Sequence, residues 1–217
     1  LRESIAGFFS RTPAANITPL DIAELIGNNA LPAVGGQACA IFQYDWLNRR
    51  LTKIHVNYDE SVHNPRVLKE AYFVGEHLTG SAWDQVQYRH IPDFDKFRDT
   101  KPGLVFKDSD QYHSECLPGG LQSILYGLVG RRSLKFLIRV MNRAESPQLP
   151  LNYRHREILD SVCADLNEYT DEFSNRRIIR SFEKLSTSGT RHITDYRINL
   201  KEISDCLGAV GFHDPCI

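Results

Sequence analysis

Two pairs of apolar, strand-length runs constrain this chain more than any other feature. The first pair is ACAIFQY at 38–44 and LTKIHVNY at 51–58, joined through 45–50. The second is LQSILYGLV at 121–129 and SLKFLIRVM at 133–141, joined by Gly130, Arg131 and Arg132. Connections this short force antiparallel pairing, so each pair is a hairpin. Residues 51–58 alternate apolar and polar side chains, as in a strand with one buried face. A sheet made from such hairpins has to bury its apolar side against something else.

The flanking segments supply that cover. Residues 18–31 place Leu20, Ile22, Ala23, Leu25 and Ile26 at helical spacing, with Thr18 as N-cap, Pro19 at the first helical position and Glu24 in the first turns. Residues 153–185 read as one long helix whose stripe Ile158, Val162, Leu166, Tyr169, Phe173 changes phase before Ile178, Phe182 and Leu185. Between the hairpins, 65–73 reads as a short helix, 86–91 as a strand and 92–120 as a long irregular loop of the kind that carries function. The expected class is α+β: an antiparallel sheet, helices on one face, a long loop over the other and extended terminal helices.

Composition removes several function classes. Hydrophobic residues make up 41% of 217, enough for a packed core, and 26 Lys plus Arg balance 27 Asp plus Glu. No basic field is present to recruit nucleic acid. Apolar runs are too short to span a bilayer, so no membrane partner is expected. Five scattered cysteines without a CxxC pair suit reduced thiols in a cytoplasmic setting. The chain opens on Leu1 and stops at Ile217, with Met141 its single methionine, and so reads as an excised fragment. Its last segment, LKEISDCLGAVGFHDPCI from Leu200, repeats the plan of LDIAELIGNNALPAVGGQACAI from Leu20, a helix, a glycine and the start of a strand.

The order of elements, the segment FVGEHLTGSAW, the strand pair SILYGLV and FLIRVMNR, and the terminal helices together resemble a GAF domain over residues 20–175. The resemblance implies a small-molecule-sensing and dimerising module. With the repeat at Leu200, it implies the first of a tandem pair: a GAF domain over 1–175, a linker helix over 176–191 and the start of a truncated second copy over 192–217. Gly75, Leu78, Thr79 and Gly80 match a glycine-rich segment of the family, with His77 where a glycine is often found. The residues themselves imply an architectural role there, since the glycines turn the backbone and Leu78 and Trp83 are large enough to be buried.

Known ligand classes of the family match poorly. The cyclic-nucleotide pattern keeps Asn142, but Arg143 follows it, Leu151 stands at the phenylalanine position, and His155 and Arg156 replace the carboxylates. A lysine-to-acid salt bridge cannot form with those residues. The bilin pattern has His113, with Cys116 and Leu117 beyond it, but Tyr112 stands where the linking cysteine belongs. Thiol-dependent reduction of methionine sulfoxide needs a second thiol near Cys116, and none is close in sequence, so the chain is not expected to be an enzyme. Histidines show no metal-ligand spacing, and Asp93, Asp95, Asp99, Asp108 and Asp110 read as loop-solvating acids. The cofactor therefore stays unknown. If a ligand binds, the resemblance places it between the sheet and the long loop, lined by Trp83, Tyr112, His113, Cys116 and Ser123. The helix over 153–185 would extend about 50 Å, longer than one domain needs, which implies a homodimer through the terminal helices.

Overall fold

The computed structural model describes residues 17–58, 70–104, 121–130, 134–143, 149–168 and 170. Helix α1 (Pro19–Val34) begins with a reciprocal cap: the Asp21 amide donates to the Thr18 hydroxyl at 3.2 Å, and the Thr18 amide donates to the Asp21 carboxylate at 2.7 Å. It runs beyond the expected end through Pro32 and stops at Gly35, which takes the left-handed conformation (φ 74°). Ile22, Ile26, Ala30 and Val34 repeat every four residues and form its buried stripe.

The two hairpins form as the alternation predicts. Strands β1 (Ala38–Asp45) and β2 (Arg50–Tyr58) pair antiparallel, as do β5 (Leu121–Val129) and β6 (Phe136–Arg143). Strand β1 also pairs β6, which joins the hairpins into one sheet. Two short strands, β3 (Ala71–Phe73) and β4 (His90–Ile91), complete the order β3-β2-β1-β6-β5-β4.

Each sheet face carries its own apolar cluster. On one side, α1 and the helix over 153–168 (α4) pack on Cys39, Ile41, Leu125, Phe136, Ile138 and Val140. On the other, helices α2 (His77–Asp84) and α3 (Phe94–Thr100) bring Leu78, Ala82 and Phe94 onto Phe42, Ile124, Tyr126, Leu137 and Met141. Helices therefore cover both faces, where one helical face and one loop face were expected.

Three local expectations are corrected. The end of 65–73 is edge strand β3, because Lys53 and Val74 amides bond the Glu70 and Arg49 carbonyls and hold the segment against β2. Residues 86–91 divide into a 3-10 turn (Val86–Tyr88) and the two-residue β4. The start of 92–120 is helical, since the Asp93 carboxylate accepts from the Lys96 amide at 3.0 Å and caps α3. Residues 105–120, the helix expected beyond 170 and the repeat over 192–217 lie outside the described residues.

Candidate functional site

The segment 72–84 positions the site. Gly75 (φ 82°) and His77 (φ 51°) both sit in the left-handed region, so the backbone reverses between β3 and α2 within four residues. Histidine occupies a conformation that glycine takes without steric cost. The Glu76 amide donates to the Phe73 carbonyl at 2.9 Å and the Phe73 amide to the Glu76 carboxylate at 2.8 Å, which locks the turn. Gly80 then brings α2 against the strand end: a Cβ there would lie 2.1 Å from the Phe73 carbonyl oxygen. This close approach aims Leu78, Thr79 and Ala82 at the sheet.

Beneath Thr79, an otherwise apolar face holds a charge. Arg139, on the central strand β6, is 3% exposed and is the one charged side chain buried among the described residues. Its Nη1 donates to Thr79 Oγ1 at 3.1 Å, and its guanidinium lies 5.0 Å from the centroid of the Phe42 ring. The hydroxyls of Thr79 and Tyr126 are hydrogen-bonded at 3.1 Å. Burial pushes the Tyr126 phenol up to about 12, against the opposing pull of Arg139 and the bond to Thr79, so the ring stays neutral. Tyr72 stands beside this group, its ring edge-on to Phe42 at 5.7 Å and to His77 at 6.2 Å.

The expected lining residues separate. Trp83 stacks on Tyr44 at 4.3 Å at the margin of the same face. Ser123 does not join it. Alternation from Leu121 would put both on one face, but an extra residue in β5 between Leu121 and Ser123 turns Ser123 to the face covered by α1 and α4. There its Oγ accepts from the Leu151 amide at 2.9 Å. Tyr112, His113 and Cys116 lie outside the described residues. Arg139, Thr79 and Tyr126 were missed as lining residues; the available signal was one arginine inside the apolar strand FLIRVMN.

Other residues weighed for chemistry serve structure. Asn142 Oδ1 accepts from the Gln37 amide at 3.0 Å and its Nδ2 donates to the Leu149 carbonyl at 3.3 Å, on the sheet face covered by α1 and α4. His155 bonds Asn152 and Arg156 bonds Asp160, both within α4 and its approach. Burial raises the Cys39 and Cys163 thiols to about 12, so neither supplies a thiolate near neutral pH. Among the described residues, no three His, Cys, Asp or Glu lie close enough to hold a metal ion. No helix there is long and apolar enough to cross a membrane.

Two successive residues, Arg89 and His90, lie between the end of α2 and the approach to α4. Arg89 donates from Nε to the Ala82 carbonyl and from Nη2 to the Trp83 carbonyl, both at 3.0 Å, at the C-terminal end of α2 where a cation is favoured. Its charge is also felt by Asp160 and Arg156 of α4. The next residue, His90, bonds the Leu151 carbonyl at 2.9 Å just before α4.

No protein-family model and no curated protein matches the sequence. Solved structures do. The GAF domain from an Acinetobacter phosphoenolpyruvate-protein phosphotransferase overlaps 79% of this chain and 90% of its own, at 16% identity and a TM-score of 0.50. A bacteriophytochrome from the photosynthetic bacterium R. palustris overlaps 88% of this chain at 14% identity and a TM-score of 0.51, and the overlap spans 40% of that longer protein. A free methionine-R-sulfoxide reductase from Neisseria meningitidis overlaps 75% of this chain and 84% of its own at 13% identity, with a TM-score of 0.46.

Proposed function

Taking as premise that this chain folds as a GAF domain, we propose that it is a regulatory module of a larger cytosolic signalling protein. In this reading it senses a small ligand, dimerises through its terminal helices and performs no catalysis. Residues 1–175 form the sensing domain, 176–191 a linker helix and 192–217 the start of a second copy. The observation that carries the reading is the polar group Arg139, Thr79 and Tyr126 buried in an apolar sheet face. Burying a charge and hydroxyls in such a place costs stability unless they are closely partnered, and a stabilising core would use apolar residues instead.

Signalling in this reading is a population shift: the ligand must bind one arrangement of the helices better than another. A ligand touching Thr79 bears on α2, whose end Arg89 holds, and the next residue, His90, bonds the Leu151 carbonyl just before α4. The mass of the purified protein, native and denatured, together with its near-ultraviolet and visible absorption, tests the proposal. Extra mass lost on denaturation, or colour, is the expected result. A second reading, a dimerisation scaffold with a vestigial pocket, draws on how completely the protein covers Tyr126 and Arg139, at 1% and 3% exposed. A colourless dimer of bare polypeptide that also fails to bind added small molecules would favour it over sensing.

A further inference from the structure

Arg139 stands at the middle of the sheet with Ala40 of β1 on one side and Tyr126 of β5 on the other. On that face β1 presents the short side chains of Ala38 and Ala40 before the ring of Phe42. Apolar side chains of Phe42, Ile124, Leu137 and Met141 surround it, and Leu78 and Ala82 of α2 lie opposite. We propose that this face binds a small molecule carrying an oxyanion, a carboxylate or a phosphate, on an apolar body, and that Arg139 holds the oxyanion. The proposal rests on the sensory reading above and names the chemistry of its ligand.

The physical grounds are specific to these residues. A guanidinium is a planar fork that meets carboxylate and phosphate oxygens in pairs, which a lysine ammonium does not do. Here the fork is oriented by its bond to Thr79, its hydrogen bond with Tyr126 and its position over Phe42. Burial lowers the local dielectric and strengthens a charge-assisted bond made at the site. The neutral phenol of Tyr126, bonded to Thr79 and Arg139, stands beside the cation and would have to turn its O–H from that network to serve an anion's remaining oxygens. The apolar walls favour a body of hydrocarbon or aromatic character. An anion drawing on the same fork as Thr79 would loosen the hold of the sheet on α2, which gives the ligand a differential interaction with two positions of that helix.

The test uses the full chain and three probes that share a phenyl body: phenylacetate, phenyl phosphate and neutral phenylacetamide. The readout is the Arg139 side-chain Nε–Hε resonance, with the backbone amides of α2. Both anions are expected to shift these signals saturably. Phenylacetamide is expected to bind at least about tenfold more weakly, the scale of one lost charge-assisted hydrogen bond. Tighter phenyl phosphate assigns a phosphate ligand; tighter phenylacetate assigns a carboxylate. Arg139→Met, of similar length, should erase the difference between anion and amide. If it does not fold, Arg139→Lys should reduce that difference by losing the fork. Equal binding of all three probes overturns the anion while leaving a ligand-binding face. No shift on this face from any probe overturns the proposal, and the sensory reading is then decided separately by co-purified mass.

Discussion

Replacing Gly80 by alanine tests how α2 is held over Arg139. In an exposed helix the change would stabilise by about 1 kcal/mol, because alanine is the better helix former. Here the new Cβ would meet the Phe73 carbonyl oxygen at 2.1 Å and the Gly75 nitrogen at 3.3 Å. Both are backbone atoms, so no side chain can rotate away. Unbonded atoms settle at about 3.5 Å, so α2 and the end of β3 must separate by more than about 1 Å. Overpacking of this kind costs about 1–3 kcal/mol. The bond from the Ser81 hydroxyl to the Gly75 carbonyl, 3.2 Å, spans the same gap and adds about 1 kcal/mol when stretched. After the helix-propensity gain, the expected net loss is about 2 kcal/mol, or about 4–8 °C in Tm for a chain of this size. Urea unfolding measures it directly through a lowered midpoint at unchanged slope. Gly103→Ala is the control: among the described residues, no atom beyond its chain neighbours lies within 4 Å of where its Cβ would stand, and it should stay within about 0.5 kcal/mol of the parent. A Gly80→Ala protein as stable as the parent would refute the close approach and the placement of Thr79 that depends on it.

Three further outcomes follow from single contacts. Ser123→Ala strands the buried Leu151 amide and should cost about 1–3 kcal/mol in urea unfolding, while leaving probe binding at Arg139 unchanged; lost binding with full stability would return Ser123 to the ligand side. Arg89→Met removes both donors to the end of α2, and hydrogen exchange should quicken in 77–84 and in 153–168; faster exchange in α2 alone would argue against coupling to α4. Burial lowers the pKa of His55, with Glu24 opposing, so the folded imidazole stays neutral while the unfolded one takes up a proton below about 6.5. The unfolded state then binds more protons, so stability should fall as pH drops below that value and be fully present above it. His55→Gln should flatten this part of the pH profile, and an unchanged profile would assign it to other groups.

The sheet was legible because its signal is local. Residues 51–58 alternate, the linkers are short, and both hairpins lie where the runs place them. Helix α1 carried its own start signal in Thr18, Pro19 and Asp21. What was misread or only coarsely placed was local structure too short for a period to develop: β3 ends a segment read as helix, and β4 ends the segment read as a strand over 86–91. The three residues of β3 and the two of β4 gain their identity from the neighbouring strand, by pairing with β2 and β5. A capping aspartate revealed α3 only once it was seen accepting from Lys96, because Asp93 also fits an exposed loop.

The site was hidden for a different reason. Its members come from α2, β5 and β6, so their hydrogen bonds span 47 and 60 residues and no motif spacing joins them. Ser123 misled because one inserted residue reverses every inference from strand parity on its N-terminal side, and an insertion leaves the apolar run LQSILYGLV looking continuous. Arg139 was visible in principle. A central strand covered by helices on both faces tolerates an arginine only where the surrounding structure orients and partners it, so its charge in the middle of FLIRVMN was already a question about binding. Thr79 supplies part of the answer, because a hydroxyl placed on a short helix can yield to a stronger acceptor without dismantling the sheet. In the proposed reading, that asymmetry, a cation on a central strand facing a hydroxyl on a short helix, is what would let a bound anion act on α2.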